Sequence, residues 1–250
     1  MDGCLAALVS MMNELDEKHW EEREISPFSL RRRQAEGARA DVLASGDVRP
    51  DDELLAAWAG GDASAGKLLI ERHYDSVARF FRTKARTAWE DLVQRTFLVL
   101  AEQRGKFEGQ ASVRAFLFGI ARNVLFEHIR QSSRAGRADP DFRESAIVDL
   151  SPGIGSMAVQ RADQRLLVTA LQHIPLELQV LLELYYWEEL DVAELAQVLQ
   201  IPAGTVKSRL SRGRALLREQ MERLPATAQE RESVRVLFGA WIERINEVER

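Results

Sequence analysis

The chain has 250 residues, 46% of them hydrophobic, with 34 Lys and Arg against 39 Asp and Glu for a formal net charge of −5. That length suits one or two domains with real cores, which excludes a wholly disordered chain. No apolar run approaches the roughly 20 residues needed to span a bilayer, and Asp2 stands where an export signal would carry a basic lead-in, so a cytoplasmic protein with no membrane insertion is expected.

Cys4 is the only cysteine, so neither a disulfide within the chain nor a cysteine zinc site can form. His19, His73, His128 and His173 lie far apart, none with a partner at metal-ligand spacing. Glycine-rich phosphate loops, nucleophile elbows and dinucleotide fingerprints do not occur. The expectation is a protein without catalytic residues, cofactor or metal, and these missing patterns disfavour a helical hydrolase or metal enzyme. Val and Ile fall within helical periods instead of alternating with polar residues, which points to an all-α fold of two small helical domains.

Residues 1–50 read as an N-terminal extension, partly helical or disordered. Leu5, Leu8, Val9, Met12 and Leu15 recur at helical spacing over residues 4–22, whereas residues 26–50 hold Arg31 to Arg33 with little periodicity. The start of translation is open among Met1, Met11 and Met12.

A first domain is expected over residues 51–131. Asp51, Asp52 and Glu53 place negative charge on the first turn of a short helix that buries Leu54, Leu55 and Trp58 and stops at Gly60 and Gly61. Ser64 is expected to cap a second helix whose stripe is Leu69, Ile70, His73, Tyr74, Val77, Phe80 and Phe81. Thr87 and Glu90 form a capping box for a third, which buries Leu92, Val93, Thr96, Phe97 and Leu100. Its other face shows Asp91, Gln94, Arg95 and Leu98, a leucine among polar groups that hints at a partner surface.

Residues 105–112, Gly-Lys-Phe-Glu-Gly-Gln-Ala-Ser, read as an exposed loop. Ser112 then caps a helix to about Gln131 that buries Val113, Phe116, Leu117, Ile120, Ala121 and Val124 and leaves Arg114, Arg122 and Arg130 available. From Lys106 to Arg137 six basic residues face two acidic ones, a basic surface in a net acidic chain. Residues 132–161, interrupted by Gly136, Pro140, Pro152, Gly153 and Gly155, read as a flexible linker with a root-mean-square reach of about 30 Å.

The second domain is expected over residues 162–224. Leu166, Leu167, Ala170, Leu171 and Ile174 mark one helix, and Pro175 opens a nearly continuous apolar one through Trp187. A helix-turn-helix follows. Asp191 and Glu194 make a capping box for a helix with a stripe of Val192, Leu195, Ala196 and Leu199. Gln200 to Gly204 is the turn; a left-handed Gln200 would cost on the order of 1 kcal/mol, and Pro202 can start the next helix because a first-turn proline gives up no hydrogen bond. On that helix Val206, Leu210, Gly213 and Leu217 share one face, with Thr205, Lys207, Ser208, Ser211 and Arg212 on or toward the other. Six basic residues against two acidic ones between Gly204 and Leu224 suit a helix that meets phosphates. Residues 225–250 form a C-terminal extension, where Val234, Leu237, Phe238, Trp241, Ile242, Ile245 and Val248 make the stripe of an amphipathic helix.

Three segments in this order carry a family resemblance: Glu90-Asp91-Leu92-Val93-Gln94 followed by Thr96-Phe97, Phe116 to Asn123, and Gly204 to Arg212. The chain resembles the RNA polymerase sigma factors of the extracytoplasmic-function group, over about Asp51 to Leu224. The resemblance implies that residues 51–131 are region two and 162–224 region four, a transcription-initiation role, and core RNA polymerase and promoter DNA as partners, and it leaves room for an anti-sigma factor.

By the same resemblance, Asp91, Leu92, Gln94, Arg95 and Leu98 would dock on the clamp helices of the beta-prime subunit; the family usually shows an acidic residue where Arg95 stands. Lys106, Glu108, Gly109, Gln110, Ser112 and Arg114 would take an unstacked base of the minus-ten element, and Thr205, Lys207, Ser208, Arg209, Ser211 and Arg212 would contact the minus-thirty-five element in the major groove. The alternative is a helix-turn-helix regulator that does not act as a polymerase subunit.

Overall fold

The computed structural model describes residues 49–85, 87–134, 167 and 169–224. The expected helices at 4–22 and 228–249, and the linker beyond residue 134, lie outside the described residues. In chain order the elements are α1 (Asp51–Ala59), α2 (Ala63–Arg82), α3 (Trp89–Gln103), a 3-10 turn (Arg104–Lys106), α4 (Val113–Arg134), α5 (Leu176–Tyr186), α6 (Val192–Leu199) and α7 (Ala203–Arg223). No strand occurs among the described residues, as an all-α fold requires. These residues fall into two compact units, one of 49–134 with 191–201 and the other of 167–190 with 202–224.

In the first unit, α1 opens after Pro50 with Asp51, Asp52 and Glu53 in its first turn and buries Leu54, Leu55 and Trp58. Gly61, at φ 105, turns the chain, and α2 begins at once. Its cap is Asp62, not Ser64: the Asp62 carboxylate accepts the Ser64 and Ala65 amides at 3.0 and 3.3 Å. So tight a turn starts the helix at Ala63 and leaves Ser64 inside the first turn, where its hydroxyl donates to Asp62 at 2.5 Å. Gly66 lets Trp58 lie against α2, since a Cβ there would come within 2.5 Å of the indole.

The expected stripe of α2, from Leu69 to Phe81, is buried, and its aromatics continue into the core. Tyr74 stacks with Phe97 of α3 at 6.4 Å, and Phe80 meets Phe118 of α4 edge-on at 5.8 Å. The Thr87 and Glu90 capping box does not form. α3 starts at Trp89 with Ala88 at the cap position, which puts Glu90 one residue too early to reach back. The expected core face of α3 is nevertheless buried throughout. On α4, Val113, Leu117, Ile120 and Ala121 are buried, while Phe116 and Val124 are half-buried and Phe118 and Leu125 fill the core in their place.

In the second unit, residues 167 and 169–172 are helical and Pro175 caps α5. The near-continuous apolar run of α5 buries Leu178, Val180, Leu181, Leu182 and Leu184. Gly213 of α7 brings that helix close to α5, because a Cβ there would sit 3.3 Å from Leu182.

Candidate nucleic-acid interface

The expected capping box of α6 is present: Asp191 Oδ1 accepts the Glu194 amide at 2.8 Å and Glu194 Oε2 accepts the Asp191 amide at 3.0 Å. α6 ends at Gln200, which takes the left-handed conformation (φ 54, ψ 43) that the turn demands. The Gln200 and Ile201 amides then close onto the Gln197 and Ala196 carbonyls at 3.2 and 3.1 Å, satisfying groups a helix end leaves open. Pro202 follows in an extended conformation, and its carbonyl accepts the Thr205 and Val206 amides at 2.8 and 3.1 Å to start α7.

Burial then decides which face of α7 is free. Val206, Leu210, Gly213, Leu217 and Met221 are buried, which leaves Lys207, Ser208, Ser211 and Arg212 exposed and Thr205 half-buried. Ser208 Oγ donates to the Thr205 carbonyl at 3.0 Å, so its remaining capacity is to accept. Arg209 is half-buried and reaches Glu177 of α5 at 3.5 Å, which turns part of its charge toward its own unit.

The loop after α3 begins with the 3-10 turn and reverses at Gly109, whose φ of 70 favours a residue without a Cβ. Ser112 caps α4 as expected, its Oγ accepting the Ala115 amide at 3.1 Å. Lys106, Glu108, Gly109, Gln110 and Ser112 are exposed and Arg114 is half-buried. Gln110 Nε2 donates to Glu108 at 3.0 Å. Lys106, Glu108 and Gln110 border a cavity of about 330 Å³; Gly109, Ser112 and Arg114 do not line it. Sequence reasoning missed Phe107 and Phe116, whose rings meet at 5.5 Å in that wall, and the amides Gln103 and Asn123. A phenylalanine inside a polar loop was the available signal.

On α3, Asp91 and Arg95 are exposed and Gln94 and Leu98 half-buried. Leu92 is 6% exposed and turns into the core, in the same column as Thr96 and Leu100, so it is not part of the outward face. Among the described residues no cluster of His, Cys, Asp and Glu could hold a metal ion, and no helix is long and apolar enough to cross a membrane.

Residues 69–135 match the family Sigma-70 region 2, and residues 164–217 match Sigma-70, region 4. The ECF RNA polymerase sigma factor SigM of Mycobacterium tuberculosis is 29% identical over 171 residues, 68% of this chain and 83% of that protein. RNA polymerase sigma factor HrpL of Pseudomonas syringae pv. syringae is 30% identical over 139 residues, 53% of this chain and 73% of its own. The chain belongs to the extracytoplasmic-function group of RNA polymerase sigma factors. The sigma factor serves transcription initiation and carries both DNA-binding regions. Its fold is also that of CnrH, solved in complex with the cytosolic domain of CnrY, at a TM-score of 0.52 and 21% identity over 70% of this chain and 99% of that one.

Proposed function

We propose that α7 is the recognition helix and enters the major groove of the minus-thirty-five element. Lys207 and Arg212 make the principal phosphate or base contacts, supported by Thr205, Ser208, Arg209 and Ser211. The observation that carries this reading is the split of α7 into one buried apolar face and one exposed face of hydroxyl and basic groups.

The loop from Lys106 to Ser112, with Arg114, takes an unstacked base of the minus-ten strand. A cavity of about 330 Å³ suits one base, with Phe107 and Phe116 to stack on it and Gln103, Gln110 and Asn123 to meet its edges. Asp91, Gln94, Arg95 and Leu98 form the face for the beta-prime clamp helices. The protein is read as a cytoplasmic, non-enzymatic subunit: it supplies binding energy for promoter opening, and the polymerase supplies the active site. Transcription of a promoter selected for binding, reconstituted with core polymerase and this chain, tests the reading. Transcripts that depend on the chain are expected; DNA binding without a transcript would instead mark a regulator outside the polymerase.

A further inference from the structure

Neither α1 nor α3 carries a basic residue in its own last turn, although the last carbonyls of each helix have no partner within it. Arg104 supplies a cationic donor to both. Its Nε donates to the Trp58 carbonyl at 3.3 Å, near the end of α1, and its Nη1 donates to the Ala101 carbonyl in the last turn of α3. The guanidinium also lies 5.6 Å from the centre of the Trp58 ring, within range of a cation–aromatic attraction. A helix C-terminus carries partial negative charge, so a planar cation shared by two of them is favoured by the field as well as by its hydrogen bonds.

Trp58 gives this clamp a fixed base. It is 2% exposed, Gly66 of α2 makes room for its indole, and its carbonyl accepts the Gly61 amide at 3.0 Å besides Arg104. α1 packs on the 3-10 turn as well as on α2.

What the clamp holds is the entry to the base loop. Arg104 is the first residue of the 3-10 turn; Gln103 before it and Lys106 and Phe107 after it border the cavity, whereas Arg104 and Trp58 do not. Gly105 comes next, with no side chain to set the direction of the chain. The point where α3 gives way to the loop is therefore fixed from α1, by a contact outside the cavity wall.

We propose that Arg104 is a positioning residue for base capture: by fastening the start of the loop to α1 it holds Phe107 against Phe116, ring centres 5.5 Å apart, in the attitude on which a base stacks. The inference rests on the reading of that loop as the base site. Fluorescence anisotropy of the full chain tests it, with wild type, Arg104→Lys and Arg104→Met, on two labelled single strands of equal length, one of randomised sequence and one abasic throughout. The ratio of the two affinities isolates base capture, because a smaller folded fraction or a lost phosphate contact weakens both strands alike. Arg104→Lys keeps the charge without the fork that bridges two carbonyls, and Arg104→Met keeps only an apolar stem. The preference for the base-bearing strand should fall by about two- to threefold in Arg104→Lys and about three- to tenfold in Arg104→Met, part of what stacking one base contributes.

A preference unchanged in both variants, or losses equal on the two strands, overturns the positioning role and leaves the base pocket standing. If Arg104→Met does not fold, Arg104→Lys against wild type decides in the same way. A wild type that binds both strands equally sinks the base pocket, and the role of Arg104 with it.

Discussion

Asp51 Oδ2 lies 2.7 Å from Nε2 of His73, whose side chain is 2% exposed, and Asp51 Oδ1 lies 2.6 Å from the Arg72 guanidinium. The first residue of α1 is thereby clamped to the middle of α2. Burial alone would raise the Asp51 pKa, but the hydrogen bonds and charges of His73 and Arg72 outweigh it and bring the carboxyl from 3.8 down to about 2. A carboxylate with a depressed folded pKa contributes stability that is full above the unfolded value and lost as pH falls through the folded one. That contribution is roughly 2 kcal/mol, present above about pH 4 and lost toward pH 2. Asp51→Asn should be less stable by about that amount at neutral pH, with a flatter dependence across the acid window. Denaturant unfolding at several pH values measures both.

Gly66→Ala should destabilise the first unit. The added methyl would meet the Trp58 ring at 2.5 Å, and a buried indole wedged between helices cannot swing aside as a flexible side chain could. Overpacking of this kind costs about 1–3 kcal/mol even though alanine is the better helix former. Thermal unfolding should show a lower midpoint, and an unchanged one would mean that Trp58 has another rotamer available.

Gln200→Gly should act in the opposite direction. Gln200 holds φ 54 and ψ 43 on an L side chain, a strain worth on the order of 1 kcal/mol that glycine does not pay. The glycine loses more entropy on folding, so a net gain of about 0.5 kcal/mol is expected. Denaturant titration resolves its sign.

The strain at Gln200 and the Asp191 and Glu194 capping box were legible in the sequence because helix ends obey rules confined to a few neighbouring residues. The same rules failed at Ser64 and Thr87 by a shift of one or two positions: a tight glycine turn moved the cap to Asp62, and Ala88 took the cap of α3. Leu92 was assigned to both faces of α3, and only burial chose the inner one. The cavity was not legible, because it joins Gln110 to Gln197, partners 87 positions apart. Periodicity within α6 indicates that Leu195 and Leu199 are buried, and Val198 is buried beside them.

Leu98→Asp should separate polymerase binding from DNA binding. Leu98 is half-buried on the outward side of α3 between Asp91, Gln94 and Arg95, so a carboxylate there is tolerated by the fold but removes apolar contact with a partner. Affinity for core polymerase should fall, by about 1–3 kcal/mol for an anchor residue, while affinity for upstream duplex stays at the wild-type value. Equal losses of both would indicate unfolding instead of a docking defect.

The exposed face of α7 supplies the sharpest distinction between holding DNA and reading it. Lys207 lies in the second turn and is exposed, and Arg212 lies farther along the helix and is exposed too. An ammonium acts on phosphate as a point charge, so Lys207→Ala should weaken binding to all upstream duplexes alike and reduce the slope of log affinity against log salt by about 1. A guanidinium can grip the two acceptors of a guanine at once, so Arg212→Ala should cost about 1–3 kcal/mol on the preferred sequence and relax the choice at one base pair. Binding titrations at several salt concentrations, on the selected duplex and on single-base variants of it, separate the two roles. Uniform losses for both variants would make Arg212 a second phosphate anchor, and the reading of bases would then fall to Ser208 and Ser211. If neither change altered affinity at any salt concentration, α7 would not be the recognition helix.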